Sequence, residues 1–533
     1  MRIEFVGGAR SVTGSSFIVK TDASTVMVDC GMFQGKRELR ERNYLDLIYD
    51  PPSIDSLLLT HAHIDHSGLI PRLVKKGFDN TIFATKATAD LCGIMLPDSA
   101  HIQEMDVQWV NRRNKKLGRD PVDPLYTQDD AAQALECFAP VQYGEEVQVQ
   151  PGIRARFRDA GHILGSAIIE LWVEEKGKET KIVFSGDLGQ KDQAIIRDPE
   201  IVENADILLI ESTYGDREHK NKADTREEFK NILLESYNDN GNIVIPAFAV
   251  ERTQEIIYVL ADLFRSGEVP RVPVYIDSPL AISATEIFRQ NRECFDEDTA
   301  RILLSGDSPL DFPELTFTRT ADESKRLNRE ARGSIIISAS GMCTAGRIKF
   351  HLQNNLYHRE SSVVFVGYQA EGTLGRRLVD GAKKVRLYGE DVVVKAKVHT
   401  IGGFSAHADR SGLLDWIGNF DNPGMTVFVV HGEENSSMSF SEAIRERYGL
   451  VTHVPRWGEI VSLDTMKSQY APYGNVDSFD EIDNEMESLE HMLATLKARY
   501  AQAKEENRNI DLDQLEEDIN DIKGLMGVIV DEL

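Results

Sequence analysis

Four side chains able to bind a metal lie close together in the run His61-Ala62-His63-Ile64-Asp65-His66. Imidazole with carboxylate suits zinc, with manganese or iron as alternatives. Clustered imidazoles without a partner are costly to bury, and a shared cation removes that cost. An apolar, strand-like stretch at 56–60 precedes the run. His61 and His63 are two apart at its end, so both rings point to one side. The chain then turns, and Asp65 and His66 open a helix that continues over 67–73. One short loop can therefore serve two ions.

Two ions need more than four ligands. His162 sits in the small-residue turn Ala160-Gly161-His162-Ile163-Leu164-Gly165-Ser166, just before a strand. Asp187 follows a strand in Phe184-Ser185-Gly186-Asp187, and His431 follows one in Val429-Val430-His431-Gly432. Glycines at these points let the backbone come close to a metal site. Each element alone is weak evidence. Strand ends on one edge of a sheet converge on one place, which makes the conjunction strong.

The elements that must position these residues read as α/β. Strands are expected over 16–20, 25–30, 56–60, 167–173, 181–185 and 207–210, and a helix over 88–117. A second α/β region follows, with strands at 241–246, 272–276, 334–338 and 362–366 and helices at 252–266 and 281–291. This alternation predicts a mostly parallel sheet with helices on its faces. Short strands resume at 392–399 and 426–431.

The chain has 533 residues, 41% of them hydrophobic, enough for two or three domains. Its net charge of -27 argues against nonspecific nucleic-acid binding over the whole surface. A local basic groove remains compatible with it, and bound dications would neutralise part of a cleft. Five scattered cysteines without a C-x-x-C point to a reducing cytoplasm and no disulfide framework. The first residues read directly into a strand, without signal-peptide character, and no apolar run approaches the ~20 residues of a membrane span.

The last segment differs in kind. From Asp477 onward about seventeen acids face five bases. Ile482, Met486, Leu489, Leu493, Leu496 and Tyr500 recur at spacings of four and three, as do Leu515, Ile519, Ile522, Met526 and Ile529. That pattern predicts a helical hairpin or short coiled coil. It serves equally as an appendage on its own protein or as a homodimerisation device.

The metal motifs, with Val28-Asp29-Cys30-Gly31, resemble the metallo-β-lactamase superfamily. Ile210-Glu211-Ser212-Thr213-Tyr214-Gly215, Gly403-Phe404-Ser405-Ala406-His407 and Val430-His431-Gly432-Glu433 resemble motifs A, B and C of its β-CASP nucleases. Ser338-Ala339-Ser340-Gly341-Met342 and the stretch 367–374 resemble the branch containing the pre-mRNA 3′-end endonuclease and its prokaryotic relatives. The resemblance covers about 1–465.

It implies an αββα sandwich in two parts, 1–214 and 386–465, with a β-CASP domain at 215–385 inserted and the acidic helical extension at 466–533. It also implies two zinc ions: one on His61, His63 and His162, a second on Asp65, His66 and His431, with Asp187 bridging. Asp29 would orient a motif histidine through its ring N–H. Glu211 and His407 would lie beside the metals without ligating them, whereas His219 and His399 match no ligand position and read as structural.

The activity so implied is a ribonuclease acting on single-stranded RNA. A two-metal-activated hydroxide would attack phosphorus, and His407, oriented by Glu211, would protonate the departing 3′ oxygen. Products would carry 5′-phosphate and 3′-hydroxyl ends, with endo- and 5′–3′ exonuclease modes both open. In the resembled family a histidine at the His431 position goes with RNA. Arg252, Arg347, Lys349, Arg376 and Arg377 are candidates to grip phosphate, and Ser278 and Ser340 to offer hydroxyls and amides. The alternatives are a DNA nuclease of the same fold, a small-molecule metallo-hydrolase, and a non-catalytic scaffold in an RNA-processing complex.

Overall fold

Alternation along Ile153–Asp159 sets one layer of the fold. Ile153, Ala155 and Phe157 are buried, while Arg154, Arg156 and Arg158 emerge on the other face. That is the two-residue period of a strand lying on a core. The structure is a computed structural model and describes residues 1–219, 222–367, 369–370 and 372–470. Tyr368 and Glu371 of the 367–374 motif, and the helical extension from 471 onward, lie outside the described residues.

Ile153–Asp159 belongs to a seven-stranded sheet. Its order is Val451–His453, Thr426–Val430, Ile207–Glu211, Lys178–Phe184, Ala167–Glu175, Ile153–Asp159, Glu146–Gln150. An eight-stranded sheet runs Lys467–Tyr470, Glu459–Ser462, Arg2–Phe5, Phe17–Lys20, Thr25–Val28, Ser56–Leu58, Thr81–Thr85, Phe138–Val141. Ile3, Phe5, Val28, Phe157, Ile169 and Phe428 interlock in the core that the two sheets share. Each such side chain contributes roughly 1.5–3 kcal/mol by leaving water.

Helices cover the outer faces. Arg410–Ile417 and Glu434–Tyr448 pack over the seven-stranded sheet through Leu413, Phe440 and Ile444. Ile70–Lys75 and the first half of Lys86–Leu117 lie in the core beyond the other sheet through Ile70, Leu73, Leu91 and Leu96. Lys86–Leu117 is capped by Thr85, whose side chain accepts from the Thr88 N–H, and it stops at Gly118 in a left-handed conformation.

A third sheet is wholly parallel. Its order is Leu315–Phe317, Val274–Ile276, Ile335–Ser338, Ile243–Pro246, Ser362–Phe365, Lys397–Thr400. Its central strands are buried and apolar, as a parallel sheet covered on both faces requires. One core runs from Leu91 and Met95 to Ile256, Ile282 and Ile287, so this inserted sheet and the sandwich share apolar contact. Lys86 Nζ donates to Asn291 Oδ1 at 2.9 Å across the same junction.

Three details differ from expectation. The helix expected at 67–73 is two short ones, Ile64–Ser67 and Ile70–Lys75. They part at Leu69, whose N–H donates to Cys30 O and not up the helix, with Pro71 opening the next turn. Lys397–Thr400 pairs with Ser362–Phe365, so the inserted sheet reaches past the expected boundary at 385. Lys467–Tyr470 is an edge strand that hairpins back on Glu459–Ser462 through a turn with Met466 at φ 51°, where the helical extension was expected to have begun.

Candidate metal centre

Strand Ser56–Leu58 lies between Thr25–Val28 and Thr81–Thr85 in parallel register, so its end is fixed on both sides. His61, His63, Asp65 and His66 follow it. Loop 29–32 backs them: Cys30 N–H donates to His66 O at 2.8 Å and Met32 N–H to Ile64 O at 2.9 Å. Gly31 is needed there, because a Cβ would stand 1.7 Å from Asp65 O. His162 arrives on the turn before Ala167–Glu175, Asp187 after Lys178–Phe184, and His431 after Thr426–Val430. His431 has φ 45°, a left-handed conformation that a histidine adopts at a cost. Its N–H donates to Gly8 O at 2.6 Å, which helps hold it so.

Two groups of donors gather around the strand-end histidines, and a third, Asp187 with Glu211 and His407, overlaps the first. Ligand atoms of His61, His63, His162 and Asp187 all lie within 4.8 Å of one another, as do those of Asp65, His66 and His431. Asp187 joins them. Its Oδ2 is 3.5 Å from His61 Nε2 and 3.5 Å from His162 Nε2. Its Oδ1 is 3.3 Å from His66 Nε2 and 3.4 Å from His431 Nε2.

Zinc fits this donor set. His63 Nδ1 lies 3.2 Å from both His61 Nε2 and His162 Nε2. A tetrahedral site with bonds of about 2.1 Å has ligand–ligand edges of about 3.4 Å. At His66 burial is outweighed by Asp187 and Asp29, which raise that ring well above the ordinary histidine range. At His61, His63, His162 and His431 burial keeps the imidazole neutral, with its lone pair free. It drives His61 and His162 well below the ordinary histidine range, His63 down to about 4 and His431 down to about 3. Burial also lifts Asp65 to about 6. Asp187 goes the other way: burial opposes its charge, but His431, His66 and His61 outweigh it and hold the carboxyl well below the usual range.

The rings are held from behind. Asp29 Oδ2 lies 2.8 Å from His66 Nδ1, and Asp29 Oδ1 accepts from Thr60 N–H at 2.8 Å. Thr60 Oγ1 stands 3.0 Å from His61 Nδ1, and Ser15 Oγ 2.7 Å from His431 Nδ1. Ser15 and Thr60 escape a reading based on metal-ligand residue types. Thr60 directly precedes His61, and that adjacency is a usable signal. Ser15 comes from a distant turn and gives none.

Glu211 is fully buried and accepts from Leu188 N–H at 2.7 Å. His407 Nδ1 lies 3.1 Å from Glu211 Oε2 and 3.9 Å from Asp187 Oδ2. Burial pulls the His407 ring toward neutrality, but the Glu211 carboxylate outweighs it and raises the imidazole to about 9. His219 packs its ring on Tyr214 at 4.4 Å, with Nε2 3.2 Å from His407 O. His399 sits half-buried on Lys397–Thr400 in the inserted sheet.

The phosphate-gripping candidates are mostly engaged elsewhere. Arg347 Nη1 donates to the buried Asp277 at 2.6 Å, and its other contacts are the carbonyls of Thr318 and Arg319. Asp277 also takes His351 Nε2 at 2.6 Å. Arg252 is buried and paired with Glu255, and Arg376 is paired with Asp380. Lys349 lies over the Tyr388 ring, and Ser278 caps helix Pro279–Gln290. Ser340 Oγ accepts from Thr344 N–H, while Arg377 is exposed on helix Leu374–Val379.

Glu251 was not singled out by its sequence context. It is buried at φ 67°, and its Oε2 accepts from Leu164 N–H at 3.2 Å, in the turn that carries His162. Burial, reinforced by Glu255, pushes its carboxyl up to about 8.

The metallo-β-lactamase superfamily matches residues 10–91, the β-CASP domain 253–378, and the Zn-dependent metallo-hydrolase RNA specificity domain 391–455. Ribonuclease TTHA0252 of Thermus thermophilus is 36% identical over 86% of this chain and 99% of its own length. The chain belongs to the β-CASP family of the metallo-β-lactamase superfamily. Two archaeal proteins extend the likeness. An RNase J-like protein of Methanocaldococcus jannaschii is 32% identical over 86% of this β-CASP chain and 99% of its own. Transcription termination factor FttA of Thermococcus kodakarensis is 31% identical over 85% of it and 70% of its own. A solved structure of a protein of unknown function from Enterococcus faecalis V583 aligns over 87% of the chain and 99% of its own, at TM-score 0.50 and 13% identity, which speaks for the fold alone. Among the described residues no helix is long and apolar enough to cross a membrane.

Proposed function

We propose that this β-CASP protein is a zinc-dependent ribonuclease that hydrolyses phosphodiester bonds of single-stranded RNA, leaving 5′-phosphate and 3′-hydroxyl ends. The observation that carries the reading is Asp187, one carboxylate oxygen of which faces His61 and His162 and the other His66 and His431. The match to an RNA specificity domain and the ribonuclease relative support RNA as substrate.

His61, His63, His162 and Asp187 would hold one zinc, and Asp65, His66, His431 and Asp187 a second. Bound there, the ions supply Lewis acidity toward nonbridging phosphate oxygens and lower the pKa of water toward ~7. The chain's own residues supply orientation and a proton. Asp29, Thr60 and Ser15 fix the ring rotations of His66, His61 and His431. Glu211 holds His407 by Nδ1 and favours its protonated form, which leaves Nε2–H to donate to the departing 3′ oxygen.

The test is incubation of the zinc-loaded protein with 5′- and 3′-labelled single-stranded RNA beside matched DNA. RNA products with 5′-phosphate and 3′-hydroxyl ends are expected, with DNA spared. Cleavage of DNA alone, or 2′,3′-cyclic phosphate ends, contradicts the proposal.

A further inference from the structure

The strands of the inserted sheet are parallel, so all their C-terminal ends lie along one edge. Lys397–Thr400 leads from that edge directly into the segment carrying Phe404 and His407. The chain leaving that edge thus runs on to His407, whose Nδ1 lies 3.9 Å from Asp187 Oδ2. Ile243–Pro246 ends two strands away, and Phe248 follows it. At about 4.8 Å per strand, Phe248 stands on the order of 10 Å along the edge from the strand that delivers His407.

Phe248 is 48% exposed. Among the described phenylalanines only Phe350 is also exposed, and its ring is stacked on Tyr388 at 4.5 Å. Phe248 stacks on no other ring among the described residues. It is held all the same. Phe248 O accepts from Thr253 Oγ1 at 2.7 Å, which ties the loop to helix Arg252–Ser266. Gly341 backs the ring: a Cβ there would stand 3.1 Å from Cδ2 and 3.2 Å from Cε2. Three residues on, Glu251 accepts from Leu164 N–H in the His162 turn. An exposed ring is thus seated on one side and fixed relative to a proposed metal ligand.

We propose that Phe248 is a base-stacking residue, which holds one RNA base beside the metal centre and so helps set which phosphodiester is cut. This rests on the ribonuclease reading above. Every base offers a π-face, so such a grip needs no particular sequence. It also compensates for arginines that are spent internally: Arg252 pairs with Glu255 and Arg347 with Asp277. In a chain of net charge -27, a non-electrostatic hold on RNA has particular value.

The experiment is cleavage of a short single-stranded RNA by zinc-loaded wild type, Phe248→Ala, Phe248→Tyr and Gly341→Ala. Each protein is assayed on the intact RNA and on a set with one abasic nucleotide stepped through the positions flanking the cut. Phe248→Ala is expected to raise the RNA concentration for half-maximal rate roughly 5- to 150-fold, the range of one lost base–ring stack. Phe248→Tyr restores binding, and Gly341→Ala, which displaces the ring, weakens it in part. At one position an abasic site costs wild type that same factor and Phe248→Ala little further. An equal loss by Phe248→Ala on every RNA would mark the ring as structural and overturn the assignment, as would no loss at all. A wild type that cuts none of these RNAs would overturn the ribonuclease reading instead.

Discussion

Asp29 Oδ2 lies 2.8 Å from His66 Nδ1, and this contact leaves His66 Nε2 as the nitrogen that faces Asp187. Both side chains are buried, and Asp29 is further fixed by Thr60 N–H and Oγ1. The carboxylate thus orients the ring, with Nδ1 turned toward it and Nε2 toward Asp187.

Asp29→Asn should therefore weaken zinc binding about 10- to 100-fold with the fold intact. Competition with a fluorescent zinc chelator measures this, and circular dichroism checks the fold. Unchanged affinity would show that Asp29 serves the turn and not the ring.

Removing His407, the proposed proton donor, should leave zinc binding unchanged. His407→Ala is expected to slow RNA cleavage about 100- to 10,000-fold. Glu211→Gln should slow it less, because the ring remains but its partner no longer favours the protonated form. Zinc content by mass spectrometry should match wild type in both. Loss of zinc from either variant would make these residues ligands.

Much of this site was legible in the chain because its residues sit at strand ends. The run His61–His66, the Gly161-His162 turn and the Gly186-Asp187 turn each follow or precede an apolar stretch whose strand the structure contains. Helix Arg252–Ser266 ends where its periodicity predicts. What was not legible depends on distant contacts. Leu69 ends a helix because Cys30 O captures its N–H. Arg347 looks like a phosphate ligand from its place after glycine turns, yet Asp277, 70 positions earlier, takes its guanidinium. Ser15 reaches His431 across 416 positions.

A separate network contributes to stability in acid. Glu170 is buried against Arg156 and Arg158 at 2.6 Å each, and Lys181 at 2.6 Å. Burial opposes its charge, but these three cations prevail and lower its carboxyl from 4.5 to about 2. A depressed carboxyl pKa stabilises the fold fully above the unfolded value and loses that contribution as pH falls toward the folded one. Glu170→Gln should cost about 1–3 kcal/mol at neutral pH, allowing for water around the partly exposed arginines. In urea titrations the gap to wild type should narrow as pH drops below 4.5 toward about 2. A gap independent of pH would assign the loss to packing.

The Asp187 carboxylate faces both donor groups, and we propose that it bridges them. Asp187→Ala should lose RNA cleavage altogether and reduce the zinc retained after dialysis. Full retention of both properties would remove Asp187 from the centre.

The most direct measurement is RNA cleavage by metal-stripped protein as zinc is returned in known ratio to chain. Activity should be absent without zinc and reach its plateau near two ions per chain. Full RNA cleavage by the stripped protein, with no zinc detectable, would contradict the account.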